Sequence, residues 1–297
     1  MRAQSFLAAV LVMAAANFAS ADTIRGINMD FVTIGHAGNP GDTRAEANPY
    51  GCGAVSYNYR IGKYEVTNAQ WNTFTAAAGA PTGNGAGHSK SAYYTGAQQP
   101  TNCVSWYEAT QFCNYLTSGD KSKGAYQFSG DNTNPGDFLG INRDAAISSY
   151  GIAYVIPTED EWYKAAYYKP DGSGYSLYAN GTNTAPIAGV QSNYNYAIGA
   201  PWNVNTGTQE QNGTFDMMGN VWEWNETLVR DSFRGIRGGS YYYGDDHQLI
   251  SSTRFYYNPL YPYNEDRNFG FRVASIPEPC SLLLLGLGAA IATRKQK

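Results

Sequence analysis

Three helix-opening signals constrain this chain more than any other feature. Thr67 with Gln70, Ser105 with Glu108 and Thr158 with Glu161 each set a hydroxyl three positions ahead of an acid or amide. Such a pair satisfies the backbone N–H groups that a helix start leaves without partners. The helices that follow are expected to run to about Ala78, Leu116 and Tyr168. In the second, Trp106, Ala109, Cys113 and Leu116 share one face, which predicts a buried side. Strand-like segments at 57–66 and 153–156 precede two of the three starts. The remainder is short β-prone pieces broken by Gly, Asn, Asp and Pro, with long loops expected at 39–50, 81–87, 129–136 and 170–183. No repeat of fixed period is visible. A domain with so few regular elements must hold its backbone by other means, and calcium is one ion that ties carbonyl-rich loops together.

Both ends read as addresses. Arg2, an apolar run at 6–16 and Ala19-Ser20-Ala21 ahead of Asp22 make the three-part pattern of a secretory signal peptide, expected to be removed after Ala21. At the far end Pro277-Glu278-Pro279 precedes an apolar stretch at 280–292 and then Arg294, Lys295 and Lys297. As a helix that stretch rises about 20 Å, short of the ~30 Å hydrocarbon core, so it is a poor permanent anchor. Its basic end is expected to stay cytoplasmic. The tail resembles the PEP-CTERM sorting signal of bacterial surface proteins. That resemblance implies exosortase-type sorting machinery as a partner, transient membrane contact through the C-terminal helix, and a final place at the cell surface or in the extracellular matrix. Residues 22–276 are left as one domain, since no Pro-rich or low-complexity linker divides them.

Charged residues make up 15% of the chain, below the ~25% usual for soluble domains. Its surface therefore relies on hydroxyl, amide and phenol groups more than on ion pairs. A net charge of -4, without a Lys/Arg cluster outside the tail, offers no field for nucleic acid. Of the four cysteines, Cys280 lies in the tail. Cys52, Cys103 and Cys113 remain, an odd number that allows one disulfide and one thiol without fixing the pair. Cys113, beside Phe112 on the apolar helix face, reads as a buried small hydrophobe.

Six motifs then occur in order: Ile61-Gly62-Lys63-Tyr64-Glu65-Val66-Thr67-Asn68, Pro100-Thr101-Asn102-Cys103-Val104-Ser105-Trp106, Ile156-Pro157-Thr158-Glu159-Asp160-Glu161-Trp162, Gly219-Asn220-Val221-Trp222-Glu223-Trp224, Arg237-Gly238-Gly239-Ser240 and Asn268-Phe269-Gly270-Phe271-Arg272-Val273. Together they resemble the formylglycine-generating enzyme family, also called the sulfatase-modifying factor domain, over about 27–274. The resemblance implies an α+β fold, a variant of the C-type-lectin-like fold with few helices, small antiparallel sheets and much ordered loop. Trp162, Trp222 and Trp224 are expected in the core with their indole N–H groups partnered. Arg272 and Glu223 are expected to form a buried pair.

For the site, the resemblance implies structural calcium, with Asp216, Gly219, Val221 and Glu223 as one ligand set, the glycine and valine through their carbonyls. A second set would begin at Asn193 and Tyr194. The family's enzymes oxidise a substrate cysteine with copper(I) held by two thiolates just after Arg-Gly-Gly-Ser. Here the first of those positions is Tyr243, the second falls near Gln248, and no cysteine occurs between Ser240 and Ala274. Copper(I) needs soft sulfur ligands, so copper is not expected. The reading is an exported protein whose domain serves binding or structure, with no catalytic residue assigned. The alternative is an oxidoreductase that modifies an exported protein or peptide through a non-cysteine site. Asp245, Asp246 and His247 read as a solvated hairpin tip, because no second histidine supports a metal. A carbohydrate or peptide ligand would meet the tyrosine-rich strand and loop at 241–243 together with Phe255, Tyr256, Tyr257, Tyr261 and Tyr263, with Tyr241, Tyr242, Tyr243, His247 and Tyr257 as its candidate contacts.

Overall fold

The computed structural model describes residues 20–83, 93–230, 233–242, 244–255 and 261–277. Its main sheet has five strands: β1 (Ser20–Ile24), β2 (Ile27–Ile34), β3 (Tyr59–Gly62), β10 (Ala274–Pro277) and β6 (Ile152–Val155), in that spatial order. All neighbours are antiparallel. The last strand among the described residues thus lies inside the sheet, with Ala274 opposite both Ile61 and Val155. In β2, buried Ile27, Met29 and Phe31 alternate with exposed Asn28 and Asp30, as a strand with one wet face requires. A hairpin of β4 (Tyr126–Phe128) and β5 (Phe138–Ile141) stands apart. A third sheet sets β7 (Trp222–Arg230) between antiparallel β8 (Phe233–Arg237) and parallel β9 (Phe269–Gly270).

Each of the three expected helices begins where its hydroxyl stands: α1 (Asn68–Ala78), α2 (Trp106–Ser118) and α4 (Glu159–Tyr167), and all three capping boxes are complete. Two of these capping residues also reach beyond their own helices. Gln70 accepts from the Thr67 N–H at 2.8 Å and donates to the Asn28 carbonyl at 2.7 Å, which fixes α1 against the β1–β2 hairpin. Glu161 caps α4 and pairs with Arg143 at 2.8 Å, while accepting from the Tyr57 hydroxyl at 2.6 Å. α2 is buried on nearly every side, from Trp106 to Thr117, and forms the axis of the core.

One helix, α3 (Arg143–Tyr150), was not expected. Asn142 caps it through the Ala145 N–H, but with alanine at the third position there is no box, and of its residues only Ala146 is buried. The strand expected at 57–66 is shorter, because pairing stops at Gly62, and the one expected at 153–156 is shifted back by one residue. The four expected loops carry no helix or strand in their described parts; 84–87 lies outside the described residues. Trp162, Trp222 and Trp224 are buried, and the indole N–H groups of Trp162 and Trp224 donate to Glu223 and to the Val104 carbonyl. Among the described residues, no helix is long and apolar enough to cross a membrane. The calls on the sorting tail after Pro277, and on the leader through Ala19, fall outside the described residues, while Ser20 and Ala21 of the expected cleavage site lie in β1.

Candidate functional site

The turn that leads into β7 brings two backbone segments close together. Asp216 and Asn220 both have φ +60, and Gly219 has φ +82 with its backbone so near Asn193 that an added Cβ would lie 2.4 Å from that carbonyl oxygen. Only glycine fits there. The turn gathers side chains from separate segments. Glu65, just past β3, accepts from the Asn220 amide at 2.5 Å and from the Val221 N–H at 3.1 Å. Glu210 accepts from the Thr214 hydroxyl and from the N–H groups of Met217 and Met218. Asp216 accepts from the Trp202 indole at 2.8 Å. Arg272 binds Glu223 through two contacts and donates to the carbonyls of Gly62 and Phe215.

Four buried carboxylates therefore sit around one buried guanidinium. Burial pushes Glu210 up to about 8 and Asp216 up to about 6. Glu65 rises well above the usual carboxylate range through burial, with Asp216 and Glu223 adding repulsion. Such a cluster sheds its excess negative charge in one of two ways, by taking up protons or by holding a cation.

The oxygens at hand bear on the second. Asp216 Oδ2 and Asn193 Oδ1 are buried without a hydrogen-bond partner. Among the described residues no group of three His, Cys, Asp or Glu side chains is placed to hold a metal. Both unpartnered atoms are hard oxygens of the kind that calcium takes alongside carbonyls. Glu223 is committed elsewhere: both its oxygens face Arg272, and one also accepts from Trp162. Tyr194 is buried with its hydroxyl on the Pro186 carbonyl at 2.6 Å.

An aromatic surface is built directly on this turn. The Tyr241 N–H donates to the Asn220 carbonyl and the Gly219 N–H to the Gly238 carbonyl. Tyr241 and Tyr242 lie in a turn and not in the expected strand, because β8 ends at Arg237 and Gly238 and Gly239 then take φ +97 and +82. Tyr241 is buried, with its ring 5.4 Å from Tyr94. Over it, exposed Tyr242 meets exposed Tyr196 at 5.2 Å, with the Arg267 guanidinium 4.6 Å from the Tyr242 ring. Exposed Tyr93 extends the patch through Tyr94. Tyr93, Tyr94, Tyr196 and Arg267 come from loops far apart in sequence, and no local pattern marked them. Tyr243 and Tyr257, both candidate contacts, lie outside the described residues, and so does Tyr256.

The remaining candidates are placed as follows. Gln248 closes a two-way clasp on Ser240, accepting from its N–H at 3.0 Å and donating to its carbonyl at 3.3 Å. His247 is exposed in a short 3-10 turn (Asp246–Leu249), and Asp246 accepts from the Tyr178 hydroxyl at 2.6 Å. Phe255 packs on Trp222 at 5.0 Å and belongs to the core, while Tyr261 stacks on Tyr263. Cys52, Cys103 and Cys113 are all buried and no disulfide joins them. Burial raises the thiols of Cys52 and Cys113, so neither is poised as a nucleophile.

Comparison with known proteins adds context. The family described as "Sulfatase-modifying factor enzyme 1-like domain" matches residues 30–276. The chain is 26% identical over 207 residues to "Chaperone protein LppX" of Paenibacillus barcinonensis, covering 62% of this chain and 69% of that protein. Among solved structures, Treponema denticola variable protein 1 has 23% identity and a TM-score of 0.60, over 89% of this chain and 100% of its own. PvdO from Pseudomonas aeruginosa has 17% identity and a TM-score of 0.55, over 84% and 94%. At these identities the solved structures establish the fold, the α+β arrangement of few helices and small antiparallel sheets.

Proposed function

The chain belongs to the sulfatase-modifying factor enzyme 1-like family, and we propose that in this member the domain binds a partner or ligand and does not oxidise cysteine. One observation carries the reading. The segment after Arg237-Gly238-Gly239-Ser240, where the family resemblance calls for two thiolates, contains no cysteine up to Ala274. The residue near the second position, Gln248, spends its amide on Ser240. Hard oxygen and amide groups do not hold copper(I) as paired sulfurs do. The intact turn beneath, with the tyrosines and Arg267 above it, supports a recognition surface for carbohydrate or peptide. The proposal includes structural calcium at Asp216 and Asn193, supported by their two unpartnered oxygens.

Export to the cell surface or matrix is part of the same reading, as are the division into 1–21, 22–276 and 277–297 and sorting by an exosortase-type machinery. Support comes from the sequence patterns at the two ends.

The test uses the purified full chain mixed with copper(I) and a cysteine-containing sulfatase-type peptide. The expected result is no stoichiometric copper capture and no oxygen-dependent loss of the peptide thiol. Copper capture with thiol loss would overturn the reading in favour of an oxidoreductase.

A further inference from the structure

A second recess shares no residue with the tyrosine surface. It is a groove of about 700 Å³ between the β1–β2 hairpin, the first turns of α1 and the loop at 203–206. That volume is within the range of ligand sites, roughly 300–1,000 Å³. Its walls are cross-tied. Gln70 joins α1 to Asn28 on the hairpin, and the Val204 N–H donates to the Gln98 carbonyl at 2.9 Å. A frame held in this way loses little freedom when a ligand arrives.

The polar groups of the groove divide into two sets. Asn28, Thr67, Gln70, Thr73 and Thr206 are spent on the protein itself. The side chains of Asp30, Tyr64, Gln98, Asn203 and Asn205 line the groove and, among the described residues, make no hydrogen bond within the chain. Gln98, Asn203 and Asn205 each offer both a donor and an acceptor, Asp30 offers acceptors only, and Tyr64 brings a ring with a hydroxyl at its edge.

We infer that this groove binds a neutral saccharide. Paired donors and acceptors on short amides match vicinal hydroxyls, and the tyrosine ring suits the apolar face of a sugar. Among the described residues that line the groove the one charged side chain is the Asp30 carboxylate, and the Lys63 ammonium, 5.3 Å from the Tyr64 ring, is offset by it, so a phosphate, uronate or nucleic acid would meet no net positive field. Ten of the fourteen lining residues carry hydrogen-bonding side chains, which argues against a lipid or an apolar peptide side chain.

The experiment is saturation-transfer NMR of the full chain with four neutral hexasaccharides, maltohexaose, cellohexaose, xylohexaose and mannohexaose, repeated on Asp30→Ala/Asn203→Ala and on Tyr242→Ala. All three substituted positions are exposed, and unfolding midpoints confirm that each variant is folded. The expected result is binding of at least one hexasaccharide, weakened about tenfold or more by the double substitution. No binding of any of the four overturns the inference. So does binding that survives the double substitution but is lost in Tyr242→Ala, which would place the sugar on the tyrosine surface and leave the reading of that surface as a recognition site standing.

Discussion

Arg272 and Glu223 meet in a two-pronged ion pair, Nη2 to Oε1 at 2.5 Å and Nε to Oε2 at 2.6 Å, with both side chains fully buried. The arginine comes from the loop between β9 and β10 and the glutamate from β7, so the pair joins the small sheet to the large one. Removing one partner leaves a charge in a medium that cannot solvate it. Glu223→Gln should cost about 3–5 kcal/mol. Replacing both, Glu223→Gln with Arg272→Met, should cost less than the sum of the single changes. Urea unfolding of the three variants decides it, and additive losses would contradict the coupling.

Calcium should stabilise the protein through Asp216. At a free calcium concentration a hundred times its dissociation constant, the gain is about 2.7 kcal/mol. Calorimetric melting in excess calcium and in excess chelator should differ in the wild type and coincide in Asp216→Ala. Coincident melting of the wild type would remove calcium from the account.

The same centre sets a pH dependence in chelator. Glu210 and Asp216 have folded-state values near 8 and 6, above their ordinary ones, so the folded state binds more protons than the unfolded between about pH 4.5 and 8. Stability should therefore fall as pH rises across 5–8, by on the order of 1 kcal/mol per unit for each group while it titrates. Asp42 and Glu161, held below their usual range against the opposing pull of burial by Arg44 and Arg143 respectively, oppose this only below about pH 4.5. Lys164, lowered to about 8 by burial, adds stability only above pH 8. Urea midpoints at pH 5, 6.5 and 8 should decrease in that order.

The two neighbouring tyrosines should separate structure from surface. Tyr241 is 1% exposed and Tyr242 38%. Tyr241→Ala should cost about 3–5 kcal/mol, by analogy with the loss of other buried aromatics, and Tyr242→Ala no more than about 0.5 kcal/mol. Thermal melting compares them directly, and equal losses would place Tyr242 in the core.

Helix starts were the most legible part of this molecule, because a capping box is a local contract between two residues three apart. Thr67, Ser105 and Thr158 each open a helix at the next position. α3 escaped notice since Asn142 caps it alone, although Gly151 at φ +74 closes it as a glycine often does. The pairing of Arg272 with Glu223 was legible from the chemistry of two charged residues within apolar motifs. The unpartnered oxygens of Asp216 and Asn193 were not, since they depend on where Trp202 and Asn220 point. Nor was the surface joining Tyr196 to Tyr242, because loops brought together by the turn at Gly219 leave no periodic trace in sequence.

The position of β10 has a consequence for how the molecule assembles. Among the described strands, β1 to β3 are joined to β6 only through residues 274–277, so the large sheet stays in two pieces until those residues have been made. Closing it means bringing Ala274 to Ile61 across more than two hundred intervening residues, a slow, non-local step. A ribosome-bound chain still missing β10 therefore lacks a finished core, and chaperones would meet it in that open form.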